Sequence, residues 1–195
     1  MIDNYKDLPL SLFLRIDKVL TSEAEDIDKQ VAVIALLSGC EEADILAMPV
    51  TDYASLAGKA AFLSEPCPSV PAAATIQAEG FTLVPVKDFT RITTAQYVDF
   101  QTFARDIPQS LPRLLSCLLV PEGHSYNEGY DMAAVHRAVE ALPLPVAMGL
   151  SAFFFASLRE SIAASLASLA QMPGQGTKAA SLAAKTREIL ASLGL

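Results

Sequence analysis

Histidine occurs only twice in the 195 residues, cysteine three times, and charged residues make up 18% of the chain. Each scarcity removes a class of function. His124 and His136 leave little material for imidazole catalysis or for a metal cage. Cys40, Cys67 and Cys117 are an odd number with no close pair, which suits neither a disulfide framework nor a zinc site, so a reducing compartment fits best. A typical globular domain carries roughly 25% charge. This surface is therefore short of charge, and the expectation is that a partner covers part of its apolar area.

Positive charge is also lacking. The net charge is −8 and no basic stripe occurs, whereas binding a nucleic-acid backbone requires clustered Lys and Arg to displace counterions. The densest charge is acidic, in Glu23, Glu25, Asp26 and Asp28. It falls where a second helix should begin, and complementarity to the helix dipole accounts for it. The N-terminus lacks a basic region followed by an apolar run, so a cytoplasmic location is expected. The most apolar stretch, residues 144–158, is closed by Arg159 and Glu160. It falls short of the roughly 20 residues a membrane span needs.

Catalytic signatures are missing as well. No Gly-x-Ser-x-Gly elbow, phosphate-binding Gly-x-x-x-x-Gly-Lys-Ser/Thr loop or Gly-x-Gly-x-x-Gly turn after a strand appears. The reading is of a non-enzyme without a cofactor.

What is present is helical periodicity. Leu12, Ile16, Val19 and Leu20 mark an amphipathic first helix. Ser22 and Glu25 read as a capping box for a second, running to residue 38 and closed by Gly39. That helix is apolar nearly all round, which predicts a central position. Shorter helices over 41–48 and 51–63 follow, separated by Pro49. Pro66, Pro68 and Pro71 then mark an extended crossing, and residues 75–77 and 81–86 flank Glu79-Gly80 as a small hairpin. A two-stranded ribbon is barely stable alone, so it must pack on the helices or pair with another subunit.

Beyond it, Thr93 begins a helix over 94–106 with Tyr97, Phe100, Ala104 and Ile107 on one face, and residues 111–120 carry a regular leucine stripe. Asp131 caps a helix that Pro143 stops, and Pro145 opens a long one to about residue 172, with Leu150, Phe154, Leu158, Ile162 and Leu166 in an i+4 row. A last helix over 177–193 presents Leu182 and Ile189 on one side. The expected fold is mainly α, a helical bundle in two units (1–63 and 92–172) with a small β-hairpin in the 64–91 crossing and a tethered terminal helix in 173–195.

Three features are candidates for function. Phe153, Phe154 and Phe155 span about 200° of helix surface, so they need two packing surfaces. Burial between layers of the same domain and an aromatic subunit contact both meet that need. The polar loop 122–131 brings Glu122, His124, Glu128 and Asp131 close in sequence, as a divalent-metal set for a metal-dependent enzyme or as a turn whose carboxylates cap the next helix. His136 reads as a half-buried, satisfied histidine.

From Ile92 onward the chain resembles small proteins encoded in the tail-gene region of tailed phages and prophages, tail assembly chaperones among them. The resemblance rests on Ile92-Thr-Thr-Ala-Gln-Tyr97-Val-Asp99, on Leu111-Pro-Arg-Leu-Leu-Ser-Cys-Leu-Leu-Val-Pro-Glu-Gly-His-Ser-Tyr126, on Gly129-Tyr-Asp-Met132 and on the phenylalanine triplet. It covers about 80 residues, and less clearly the N-terminal helices; none of its motifs is catalytic. It implies a protein that binds the tape-measure protein or other tail components in the host bacterial cytoplasm. A structural subunit of the virion, such as a ring or connector and hence a homo-oligomer, is the alternative. The partner-binding residues expected on this reading are Phe153, Phe154, Phe155, Leu158, Tyr126, Tyr130, Leu182 and Ile189.

Overall fold

The computed structural model describes residues 1–170, with side chains to residue 161. The expected helix over 177–193, with Leu182 and Ile189, lies outside the described residues, as do the side chains of Ile162 and Leu166. What is described is mainly α-helical with a small antiparallel sheet. Asn4 caps a short 3-10 turn at Tyr5–Asp7, after which come α1 (Leu10–Leu20), α2 (Asp26–Ser38), α3 (Glu42–Ala47) and α4 (Val50–Ala60). The strands β1 (Ile76–Ala78) and β2 (Phe81–Pro85) precede α5 (Thr94–Phe103) and α6 (Leu111–Leu118). Strand β3 (Leu119–Pro121), α7 (Met132–Glu140) and α8 (Leu144–Ala170) complete the order.

Local signals place most boundaries. Gly39 ends α2 in the left-handed conformation at φ 68°, as a C-cap requires. Thr93 Oγ accepts from Gln96 N, and Asp131 accepts from Ala133 N, each satisfying an amide left free at a helix start. The capping box expected at Ser22 does not form. Ser22 Oγ instead donates to the Val19 carbonyl at 2.7 Å, closing α1, and α2 begins four residues later, at Asp26. A capping box does occur at Glu41 and Asp44, at the head of α3.

The hairpin forms as the spacing predicts, with Glu79 at φ 40° and Gly80 at φ 85°. Positive φ at both central residues matches the right-handed twist of the flanking strands. It is not a free ribbon, however. Pairs such as Leu83 with Pro121 and Val84 with Val120 join β2 to β3, so the sheet has three strands in the order β1-β2-β3. Leu119 and Val120, expected at the end of a helix, are that third strand.

One apolar core runs through both expected helical units. Leu8, Leu10, Leu14 and Ile16 from the N-terminal side share it with Leu83, Leu114, Leu118, Val135 and Leu150. Main-chain bonds from Leu10 N to Leu142 O (2.9 Å) and from Leu144 N to Leu8 O (2.8 Å) pin the start of α1 to the junction of α7 and α8. At the centre lies α6, on which seven residues from Leu111 to Leu118 are buried and only Arg113 reaches solvent. As its composition predicts, α2 serves two surfaces. Val33 and Leu37 face the main core, while Val31, Ile34 and Ala35 face a second cluster with Ile45 of α3 and, at its edge, Leu56 of α4.

Two predicted faces are kept only in part. On α1 Ile16 is buried with Leu10 and Leu14, Leu12 and Val19 are half-buried against the core, and Leu20 is exposed. On α5 the buried pair is Gln96 and Phe100, with Tyr97 outside. Among the described residues no helix is long and apolar enough to cross a membrane.

Candidate protein-binding surface

The phenylalanine triplet is divided by the curvature of α8. Phe154 is 1% exposed and sits in the main core, whereas Phe153 and Phe155 are half-buried at its margin. The rings of Phe153 and Phe154 lie 5.3 Å apart at 60°. Along its length α8 meets α6, α1 and the turns at Tyr5–Asp7 and Phe89–Arg91. Leu158 is half-buried one turn further on.

The loop 122–131 folds back on the body of the protein through its tyrosines. Tyr126 is buried, its hydroxyl donating to Asp99 Oδ2 of α5 at 2.7 Å and lying 3.6 Å from Cys117 Sγ of α6. Burial raises the Tyr126 phenol well above its ordinary range, and its contacts with Cys117 and Asp99 act in the same direction. The Cys117 thiol is pushed up to about 11, chiefly by burial. Gln96 Nε2 donates to the Cys117 carbonyl at 2.5 Å, so the same turn of α6 is fixed from two sides. Tyr130 Oη accepts from Asn127 N at 3.0 Å, and its ring stands edge-on to His124 at 5.7 Å. Gly123, Asn127 and Gly129 have positive φ, the backbone of a tightly structured turn.

Two of the four loop residues weighed as metal ligands are engaged elsewhere. Asp131 caps α7 and lies 3.8 Å from Arg137, and His124 stacks against Tyr130. Among the described residues no three His, Cys, Asp or Glu side chains converge as a metal site would require. His136 is held between Ser116 Oγ (3.4 Å) and Glu140 (3.2 Å), and it is half-buried.

A different surface was not singled out by sequence reasoning. On the short helices α3 and α4, Leu46 is 72% and Val50 82% exposed. Their spacing reads as core, and only the packing shows which way they face. A groove of about 490 Å³ opens between α2 and α4. Val33 and Ile34 line its α2 side, Ala57 and Ala60 its α4 side, and Leu20 and Leu63 also border it. Tyr53 Oη donates to Gln30 Oε1 at 3.1 Å, tying the two helices together. Charge is concentrated on the same helices. Residues 21–65 hold nine carboxylates and two lysines, so seven of the eight excess negative charges of the chain belong to them.

Compared with known proteins, the chain matches no family model, no curated protein and no solved structure.

Proposed function

We propose that the chain is a non-enzymatic protein of the tail-gene region of tailed phages or prophages. It binds other tail proteins, the tape-measure protein among them, during tail assembly in the host cytoplasm, as tail assembly chaperones do. The observation that carries the binding role is the exposure of Leu46 and Val50. Two large aliphatic side chains held out on short ordered helices, on a chain with so little surface charge, are the material of a protein interface. The motifs from Ile92 onward support the tail-region assignment by resemblance.

A structural subunit of the particle is the second reading, and the sheet bears on it. A ribbon extending from the fold would suit strand exchange in a ring. Here β2 is occupied by β3 of the same chain, which supports a binder over a ring component.

Co-expression with the tail proteins encoded beside it, followed by size-exclusion chromatography with light scattering, tests the proposal. A defined complex with one of them is expected, lost on Leu46→Asp with Val50→Asp while the variant alone keeps its melting temperature. A fixed ring-sized homo-oligomer and no complex would replace this reading with the structural one.

A further inference from the structure

We infer that the groove between α2 and α4 docks an amphipathic helix of another protein, one whose apolar face is flanked by lysine and arginine. The inference rests on the protein-binding reading above and names the chemistry of the partner.

The shape of the groove comes from residue size. Where α4 faces α2 it presents Ala57 and Ala60, side chains too short to fill the space. A trough is left whose floor includes the buried Val33 and Ile34. Leu20, at its edge, is 51% exposed. A volume of about 490 Å³ is in the range that takes side chains or a small ligand. The walls are helices whose backbone groups are already bonded along the helix, so an incoming segment cannot bind by adding a strand. It must bind through side chains, and a helix offering apolar residues at i, i+3, i+4 and i+7 is the form that fits a trough between two helices.

Charge selects among such helices. Asp26 and Lys29 both border the groove, and the negative excess comes from the surrounding helical unit, with Glu23, Glu25 and Asp28, all exposed, next to Asp26 in sequence. Lys29 and Lys59 are the only cations in residues 21–65. A helix with an acidic polar face meets a repulsive field there, and one with a basic face is drawn in, with a faster approach at low salt. Phosphate-bearing ligands are disfavoured by the same field.

The test titrates the full chain into two labelled synthetic peptides with the same leucine face, one with a lysine polar face and one with a glutamate polar face, followed by fluorescence anisotropy. One-to-one binding of the lysine peptide is expected, about tenfold or more tighter than that of the glutamate peptide. Glu25→Lys with Asp26→Lys should narrow the preference. Ala57→Leu and, separately, Ala60→Trp should fill the trough and abolish binding of the lysine peptide. Two groove variants are named so that one misfolded protein does not decide the result, and melting curves report which is folded.

Absence of binding, or equal affinity for both peptides, overturns the inference. So does binding that responds to charge reversal but not to groove filling, because charge attraction alone would then suffice. Concentration-dependent dimerisation lost with Ala57→Leu would assign the groove to a second copy, and overturns it too. The tail-protein complex is read through Leu46 and Val50, so either assay can fail while the other succeeds.

Discussion

The hydroxyl of Tyr126 donates to Asp99 Oδ2 at 2.7 Å and so joins the loop after β3 to α5, across 27 residues of sequence. The donor residue is buried and the acceptor half-buried. A hydrogen bond to a charged group contributes more than a neutral one, and its loss leaves the carboxylate partly desolvated without a donor. Tyr126→Phe keeps the ring and removes only this bond, so it should cost about 2 kcal/mol. Urea denaturation checks the value. Asp99→Asn, which retains an acceptor, should cost less.

Cys117 lies behind that hydroxyl, 1% exposed, with its thiol pushed up to about 11 by burial. The native protein should therefore be alkylated at the half-buried Cys40 and Cys67, while Cys117 reacts only on unfolding; mass spectrometry of peptides after a timed iodoacetamide pulse gives the order. The same shift fixes a pH dependence. A thiol that holds its proton more tightly in the fold contributes stability that is complete below its ordinary value of 9.0 and is lost as pH rises through about 11. Wild-type stability should fall across that window, and Cys117→Ala should flatten the fall. An equal slope in the variant would show that another group controls it.

How much of this was legible in the sequence depends on where the deciding interaction lies. Helix starts at Thr93 and Asp131, the stop at Gly39 and the turn at Glu79-Gly80 were readable, because each is decided by residues within a few positions of one another. Leu119 and Val120 were not. They continue an apolar helical run, and only the partners offered by β2, more than thirty residues earlier, make them a strand. On α5, spacing favoured Tyr97 over Gln96 as the inward residue, yet the amide of Gln96 is buried because the carbonyl of Cys117 receives it. The candidate surface was the least legible part. Leu46 and Val50 have core-like identities, and an exposed leucine is recognised only against the packing of its neighbours. Tyr126, expected in an interface, is placed against its own chain, while of the triplet at 153–155 only Phe154 is buried, with Phe153 and Phe155 at the margin of the same core.

The proline-rich crossing is seated on α8 at a single glycine. Val70 N donates to the Pro145 carbonyl at 3.0 Å, and a methyl group added at Gly149 would collide with the Val70 carbonyl. With Pro66, Pro68 and Pro71 unable to donate, the Val70 bond is one of few main-chain attachments open to the segment. Gly149→Val should force the crossing off α8 at a cost of about 1 to 3 kcal/mol. Limited proteolysis should then cut within residues 65–75 well before the rest of the chain. Unchanged protection would mean that the side chains of the segment, and not the close approach at Gly149, hold it down.

Phe154 separates the two roles that the triplet can play. Its ring is buried against Leu150 and the rest of the main core, so Phe154→Ala opens a cavity and should cost about 3 to 5 kcal/mol. Phe153 and Phe155 keep part of their surface in water, and alanine at either should cost less than half of that, since less area returns to solvent and the margin can relax. If the marginal rings also serve a partner, Phe153→Ala and Phe155→Ala should weaken the tail-protein complex beyond what their small stability loss explains. Denaturation curves beside light scattering of the complex measure both quantities on the same variants. A Phe154→Ala protein that melts like wild type but no longer assembles would invert the assignment and move the central ring from the core to the interface.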